Sequence, residues 1–204
     1  MTELIAETSP QRRARIAGVL YLVYVLPPVI VGEFIKRFVV EGDAVATTKN
    51  MLAHPPPLWL GLAIPVVSVA CGIAATALFY GLFKPVNRSL SLVAAMFNLG
   101  ALALSVIDVN VDSVFHGLFC LLVGYLIFKS RFLPGTLGWF MALAGLGWLA
   151  SLSPSLVIYF SHYIWDGVVL AELSLCVWLL VMGVNVQGWN EQASAGRRVP
   201  NYSK

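Results

Sequence analysis

Residues 165–184, WDGVVLAELSLCVWLLVMGV, form an apolar run with one acid, Glu172, well inside it. About 20 apolar residues rising 1.5 Å each match the roughly 30 Å hydrocarbon core of a bilayer. Glu172 then lies roughly 10–14 Å below the outer surface, where a carboxylate is expensive unless it is protonated, paired or wetted. This run fixes both the solvent of the chain and its most sensitive point.

The remaining chain repeats the pattern. Charged residues make up only 11% of the 204 and hydrophobic residues 59%, against about 25% charged in a soluble domain. A chain so poor in charge cannot cover itself in water. The net charge of +3 comes from basic residues dispersed over short loops, which excludes a nucleic-acid-binding face. Cys71, Cys120 and Cys176 fall in apolar runs without a CxxC pattern and read as small core residues, with neither a disulfide framework nor a haem attachment.

Six spans follow: Ile16 to about Phe34, Leu58 to Phe83, Leu90 to about Ile107, about Ser113 to Phe128, Thr136 to about Leu152, and the run at 165–184. The first lacks a cleavage site at its end and reads as a retained span. Pro27-Pro28 should kink it. Asp43 is placed to cap a short helix over Ala44–Ala53, stopped by the prolines at 55–57. Ser68, Gly72 and Thr76 recur every fourth residue, and the fifth span is rich in Gly and Ala; both favour close helix packing. Asp108 to Ser113 reads as a reversal between spans three and four. Residues 154–163 read as an interfacial segment.

With both termini cytoplasmic, ten basic residues (Arg12, Arg13, Arg15, Lys84, Arg88, Lys129, Arg131, Arg197, Arg198, Lys204) are inside and three (Lys36, Arg37, Lys49) outside, as the positive-inside rule requires. The expectation is an all-α polytopic membrane protein. Its polar tail over 1–11 precedes one six-helix transmembrane bundle over 12–189, N-in and C-in, in the cytoplasmic (inner) membrane, and a disordered cytoplasmic tail follows over 190–204. The motif Y-x-x-F-K occurs at Tyr80 and again at Tyr125, each time at an inner span end; a repeated helical hairpin and simple interfacial anchoring both account for it.

The segment His116-Gly-Leu-Phe-Cys-Leu-Leu-Val-Gly-Tyr-Leu-Ile-Phe-Lys-Ser130, followed by Leu133-Pro134 and Ala144-Gly-Leu-Gly-Trp148, resembles a family of uncharacterised bacterial multi-span membrane proteins, known only as a domain of unknown function. The resemblance continues in Ala14–Gly18, Gly32-Glu33-Phe34, Gly42-Asp43-Ala44, Lys84–Asn87 and Glu172–Leu180, and so covers roughly residues 12–186. It implies a helical integral membrane protein and brings no activity with it. The family typically carries His where Phe119 stands; here His116 lies one turn earlier, and the loop between spans three and four is shortened.

Two constellations carry the candidate chemistry. The first is intramembrane: Glu172, with Asn98 and Tyr24 at comparable depth as hydrogen-bond partners. It is either a working carboxyl or protonated interhelical glue. The second lies on the outer face: Glu33, Arg37, Asp43, Asp108, Asp112, His116, His162 and Asp166, with His54 nearby. Two or three His with a carboxylate suit zinc. However, only His162 and Asp166 have helical ligand spacing, Asp166 serves equally as an N-cap, and Glu33 with Arg37 reads as an ion pair. No metal and no cofactor are therefore expected. Trp59, Trp139, Trp148, Trp165, Trp178 and Trp189 read as belt anchors. A nucleotide loop, a nucleophile elbow and HExxH are lacking.

Three functions fit. The first is a binding or transport-like protein, or a helper subunit, with an outward-facing polar pocket leading to Glu172. The second is an intramembrane metal-dependent hydrolase using the outer-face His and Asp. The third is a structural subunit whose Gly/Ala-rich fifth span packs on a partner. Expected partners are membrane lipids, a lipid or small-molecule ligand, and a membrane subunit or second copy, not nucleic acid.

Overall fold

The computed structural model describes residues 9–40, 42–55, 57, 63–105 and 109–195, apart from the side chains at 109, 110, 157 and 160–162. Among these residues every regular element is helical: α1 Pro10–Lys36, α2 Ala44–Ala53, α3 Ala63–Phe83, α4 Arg88–Leu104, α5 Val109–Lys129, α6 Gly135–Ala150, α7 Pro154–Val181 and α8 Val186–Ala195. α1, α3, α5 and α7 contain stretches long and apolar enough to cross a membrane; α4 and α6 are apolar but shorter, at 17 and 16 residues. The chain is thus a helical membrane protein. Leaving α2 aside, the helices from α1 to α7 form a closed ring in chain order, each packed on the next, with α7 returning to α1.

The ring is inverted relative to a soluble bundle. Val66, Met96, Trp139, Leu143, Leu170 and Val181, from four different helices, are each more than half exposed, while Ser68, Thr76, Ser91, Asn98, Ser113, His116 and Glu172 are buried. Apolar side chains facing outward cost nothing when lipid is the solvent, whereas polar groups must find partners inside.

Local chemistry accounts for the elements. Asp43 accepts from the Ala46 amide at 2.8 Å and caps α2, as the sequence predicts. α1 runs unbroken through Pro27-Pro28. Pro27 cannot donate to the Val23 carbonyl, and the Ser68 hydroxyl of α3 does so instead, at 3.4 Å, the kind of repair from a neighbouring helix that makes intramembrane proline tolerable. The Ser68/Gly72/Thr76 stripe lies buried along α3. The glycines of α6 are used within the chain. Gly117 and Gly124 of α5 face Gly145 and Gly138 so closely that a Cβ on Gly145 would stand 2.7 Å from the Gly117 carbonyl, and one on Gly124 2.8 Å from that of Gly138. Backbones approach this closely only without side chains. The face assigned by sequence to an external partner is therefore occupied by α5.

Three further expectations change. Residues 154–163 are not a separate interfacial segment but the first turns of the 28-residue α7, because Pro154 sits at its first position and no breaker interrupts it before Val181. Asp166 consequently lies mid-helix and exposed, not at a cap. Residues 190–195, predicted as disordered tail, continue α8. That helix is polar but tied down. Asn185 accepts from the Gly188 amide, Trp189 donates to the Leu82 carbonyl at 3.0 Å, and Gln192 bonds both the Arg131 amide and the Lys129 carbonyl. Gly183, at φ +71, ends α7; its amide donates to Trp178, and the Gln11 side chain bonds Met182 and Val184 on either side, pinning α1 to α7. The start of span two, the end of span three, Trp59 and the tails at 1–8 and 196–204 lie outside the described residues.

Candidate functional site

Inside the ring all six helices send a polar side chain to one place: Tyr21 from α1, Thr76 from α3, Asn98 from α4, His116 and Cys120 from α5, Trp148 from α6 and Glu172 from α7. Counted along the helix axes, these residues stand roughly 10–20 Å from the helix ends near Lys84 and Lys129, the middle of a bilayer. Glu172 is only 2% exposed and His116 4%.

Glu172 is the hub. Its Oε1 accepts from the Trp148 indole at 2.8 Å, lies 3.2 Å from His116 Nε2 and 3.8 Å from the Cys120 sulfur, while Oε2 accepts from the Tyr21 hydroxyl at 3.2 Å. The other nitrogen of His116, Nδ1, is 3.1 Å from Asn98 Oδ1 and 3.5 Å from the Tyr24 hydroxyl. Asn98 Nδ2 donates to Thr76 Oγ1 at 2.6 Å, and Thr76 donates to the Gly72 carbonyl at 2.7 Å.

This order of bonds assigns the protons. The single Thr76 proton goes to Gly72, so Thr76 must accept from Asn98; the Asn98 amide is therefore turned with its nitrogen to Thr76 and its oxygen to His116. Facing an acceptor, Nδ1 of His116 carries a hydrogen. Between Nε2 and Oε1 there is then one proton. With none, two lone pairs would face each other at 3.2 Å; with two, the hydrogens would collide. Glu172 and His116 share that proton, and the pair is electroneutral wherever the proton sits. A neutral centre is what a low-dielectric interior demands. Among the described residues no buried side-chain nitrogen or oxygen lacks a partner.

The sequence-predicted constellations fare differently. Asn98 and Tyr24 do stand at the centre, but both meet His116; the direct partners of Glu172 are Tyr21, His116, Cys120 and Trp148. His116 does not belong to the outer face. α5 starts at Val109, four residues before the predicted span, which sets His116 two turns deep, and Asp112 lies in the first helical turn, not in a reversal. Glu33 pairs with Lys36, not Arg37, whose guanidinium lies 5.9 Å from the Phe34 ring. Asp43 is a cap and His54 stacks on Phe38. Asp108 and the His162 side chain are outside the described residues. Among the described ones, the outer-face residues are thus spread over four helices and their ends.

Tyr21, Thr76, Cys120 and Trp148 escaped the sequence reading. Trp148 sits two residues from the end of α6 and reads as a belt anchor by position. Helical side chains lean toward the N-terminus, so Trp148 reaches back into the bundle, edge-on to His116 at 5.0 Å between ring centroids. An open groove on α8 and a small cavity of about 10 Å³ that touches the centre at Thr76, among Tyr80, Phe83 and Ser91, are not lined by Glu172 or His116. The centre is closed.

Helices with lipid-facing apolar sides around a sealed polar hub define the class: an integral membrane protein organised on a buried carboxyl–imidazole pair. Residues 16–111 and 109–183 match the family described as Domain of unknown function (DUF4386), and the chain belongs to that family. No curated protein and no solved structure matches it.

Proposed function

We propose that this chain is a six-span membrane protein, both termini cytoplasmic, that binds or transports a ligand in exchange for the proton held between Glu172 and His116. The observation that carries this reading is the convergence of a polar side chain from every ring helix on one electroneutral acid–base pair. Interhelical glue needs one or two hydrogen bonds of modest worth; here the pair can change its proton content only if several helices move together. Such a centre couples chemistry to helix arrangement, and the sealed state is the proton-loaded one. The ten-to-three distribution of basic residues supports the orientation, with α4 and α6 as the two short spans. The transmembrane domain runs over 12–189, and the cytoplasmic α8 closes its inner end. No cofactor is needed for this reading. The hydrolase reading keeps fewer of its outer-face groups, since one of its histidines, His116, is buried at the centre.

A hydrophobic carbodiimide tests the proposal, because it modifies a protonated carboxyl only when it can reach it. In protein reconstituted in lipid, mass spectrometry should locate a slow adduct on Glu172, absent from Glu172→Gln, that forms faster as the pH falls. Lack of any adduct between pH 5 and 9 would mean that the centre never opens, and the pair would be structural.

A further inference from the structure

We infer that the centre takes a divalent transition-metal ion, bound by His116, Cys120 and Glu172 in place of two protons. This rests on the reading that the pair is a working, proton-exchanging centre, and it names the class of ligand.

The geometry comes first. His116 and Cys120 are four residues apart on α5 and so share a helix face, with Glu172 opposite on α7. A ring nitrogen of His116, the Cys120 Sγ and a carboxylate oxygen of Glu172 all lie within 4.8 Å of one another. A tetrahedral ion with bonds of about 2.0–2.3 Å to N, O and S holds its ligand atoms roughly 3.3–3.6 Å apart. The observed separations from Glu172 Oε1 are 3.2 Å to His116 Nε2 and 3.8 Å to Cys120 Sγ. Both separations from the carboxylate oxygen are thus within about 0.3 Å of an edge of such a polyhedron.

The surroundings come second. A metal-binding imidazole donates its other N–H to a fixed acceptor that sets its tautomer, and His116 Nδ1 does so to Asn98, itself fixed by Thr76. The carboxylate is held by Tyr21 and Trp148, leaving its remaining lone pair for a ligand. A shared-proton pair has no use for Cys120; a metal site does.

Charge is the third argument. Before binding, the pair holds one proton and the Cys120 thiol another, with net charge zero. Binding M²⁺ to neutral imidazole, thiolate and carboxylate releases both protons, and the net charge is again zero. No electrons are transferred, and the exchange of one divalent cation for two protons leaves no charge uncompensated in the membrane interior. Tyr21 and Tyr24 also face the pair and keep their protons throughout. Nitrogen, thiolate and carboxylate together suit zinc and its neighbours over magnesium or calcium. Three ligands leave a fourth position for water or an exchanging group, which fits an ion that comes and goes.

Cobalt(II) is the probe. In a Cys71→Ser, Cys176→Ser background, in lipid nanodiscs, Cys120 is the sole thiol. The expected result is saturable binding of one cobalt per chain, with a sulfur-to-cobalt charge-transfer band and two protons released per ion in weak buffer. Cys120→Ser should remove the band, and zinc should displace the cobalt. His116→Ala and Glu172→Gln should abolish binding while retaining the helical circular dichroism of the parent. A chain that binds no cobalt, or a band that survives Cys120→Ser, would overturn the inference. Carbodiimide modification separates the two readings. Glu172 that is modified in a protein that binds no cobalt leaves the proton-exchanging centre standing and removes the metal. Cobalt that protects Glu172 from modification supports both.

Discussion

Glu172→Leu is expected to destabilise the folded protein in detergent by about 2–4 kcal/mol. The leucine removes the acceptor for Trp148, Tyr21 and His116, each contact being worth about 0.6–1.7 kcal/mol within a membrane protein. It also leaves buried donors without partners, which adds to the cost. His116→Leu should cost a similar amount, because it strands the carboxyl and Asn98. The double variant should lose clearly less than the sum of the two, since replacing both members of a buried pair by apolar side chains is often tolerated where removing one is not. A coupling of about 1–3 kcal/mol is expected from such a cycle. Additive losses would show that the two side chains do not share a proton.

Glu172→Gln is the instructive companion. From the sequence it should be silent, as a neutral acid and an amide have the same shape. The geometry forbids that. An amide oxygen in the place of Oε1 suits Trp148 but confronts a bare Nε2; an amide nitrogen there suits Nε2 but collides with the indole hydrogen. Gln fits only if His116 moves its proton from Nδ1 to Nε2 and Asn98 turns over. Its cost should therefore fall between zero and that of leucine.

The second large effect is expected at Asn98, one step away from the carboxyl. Asn98→Leu should cost about 2–3 kcal/mol, because it leaves the His116 Nδ1 hydrogen only the distant Tyr24 hydroxyl, at 3.5 Å, and removes the bond to Thr76, in the range for a poorly satisfied buried donor plus one interhelical contact. Thermal or denaturant unfolding in mild detergent reads the difference. Asn98→Asp should behave differently: the aspartate keeps an acceptor at Nδ1 but adds an uncompensated negative charge, so its loss should shrink as the pH falls and the acid is neutralised. An Asn98→Leu, Tyr24→Phe double variant as stable as Tyr24→Phe alone would mean that Nδ1 carries no hydrogen.

Much of this was legible in the chain. The positions of the apolar helices follow from run lengths, Asp43 as a cap from its place before Ala44, and Glu172 as the hub from the cost of an acid at its depth. What was not legible depended on small offsets. Starting α5 at Ser113 rather than Val109 kept His116 at the surface, since Asp108 to Ser113 are turn-forming types and helix propensity is a weak prior beside tertiary packing. Tyr21 and Tyr24 are three residues apart on one face, and only packing decides which reaches the carboxyl. Trp148 was hidden by the backward lean of helical side chains, which moves a residue's working end about a turn from its place in the sequence. α8 has no apolar stripe to announce it; it is held by hydrogen bonds to backbone at the ends of α3 and α5, which no pattern of one chain encodes.

The neutrality of the centre depends on where one hydrogen sits, and nitrogen-15 NMR of His116 measures that directly. In a chain with His54→Gln and His162→Gln, labelled at histidine and reconstituted in lipid, His116 is the sole signal. The arrangement predicts a hydrogen bound to Nδ1, and on Nε2 a resonance displaced from that of a bare nitrogen by the proton shared with Glu172, a displacement lost in Glu172→Leu. A neutral ring with Nε2 fully protonated and Nδ1 bare would contradict it: Asn98 would face the other way, and Glu172 would stand as an unneutralised carboxylate in the middle of the membrane.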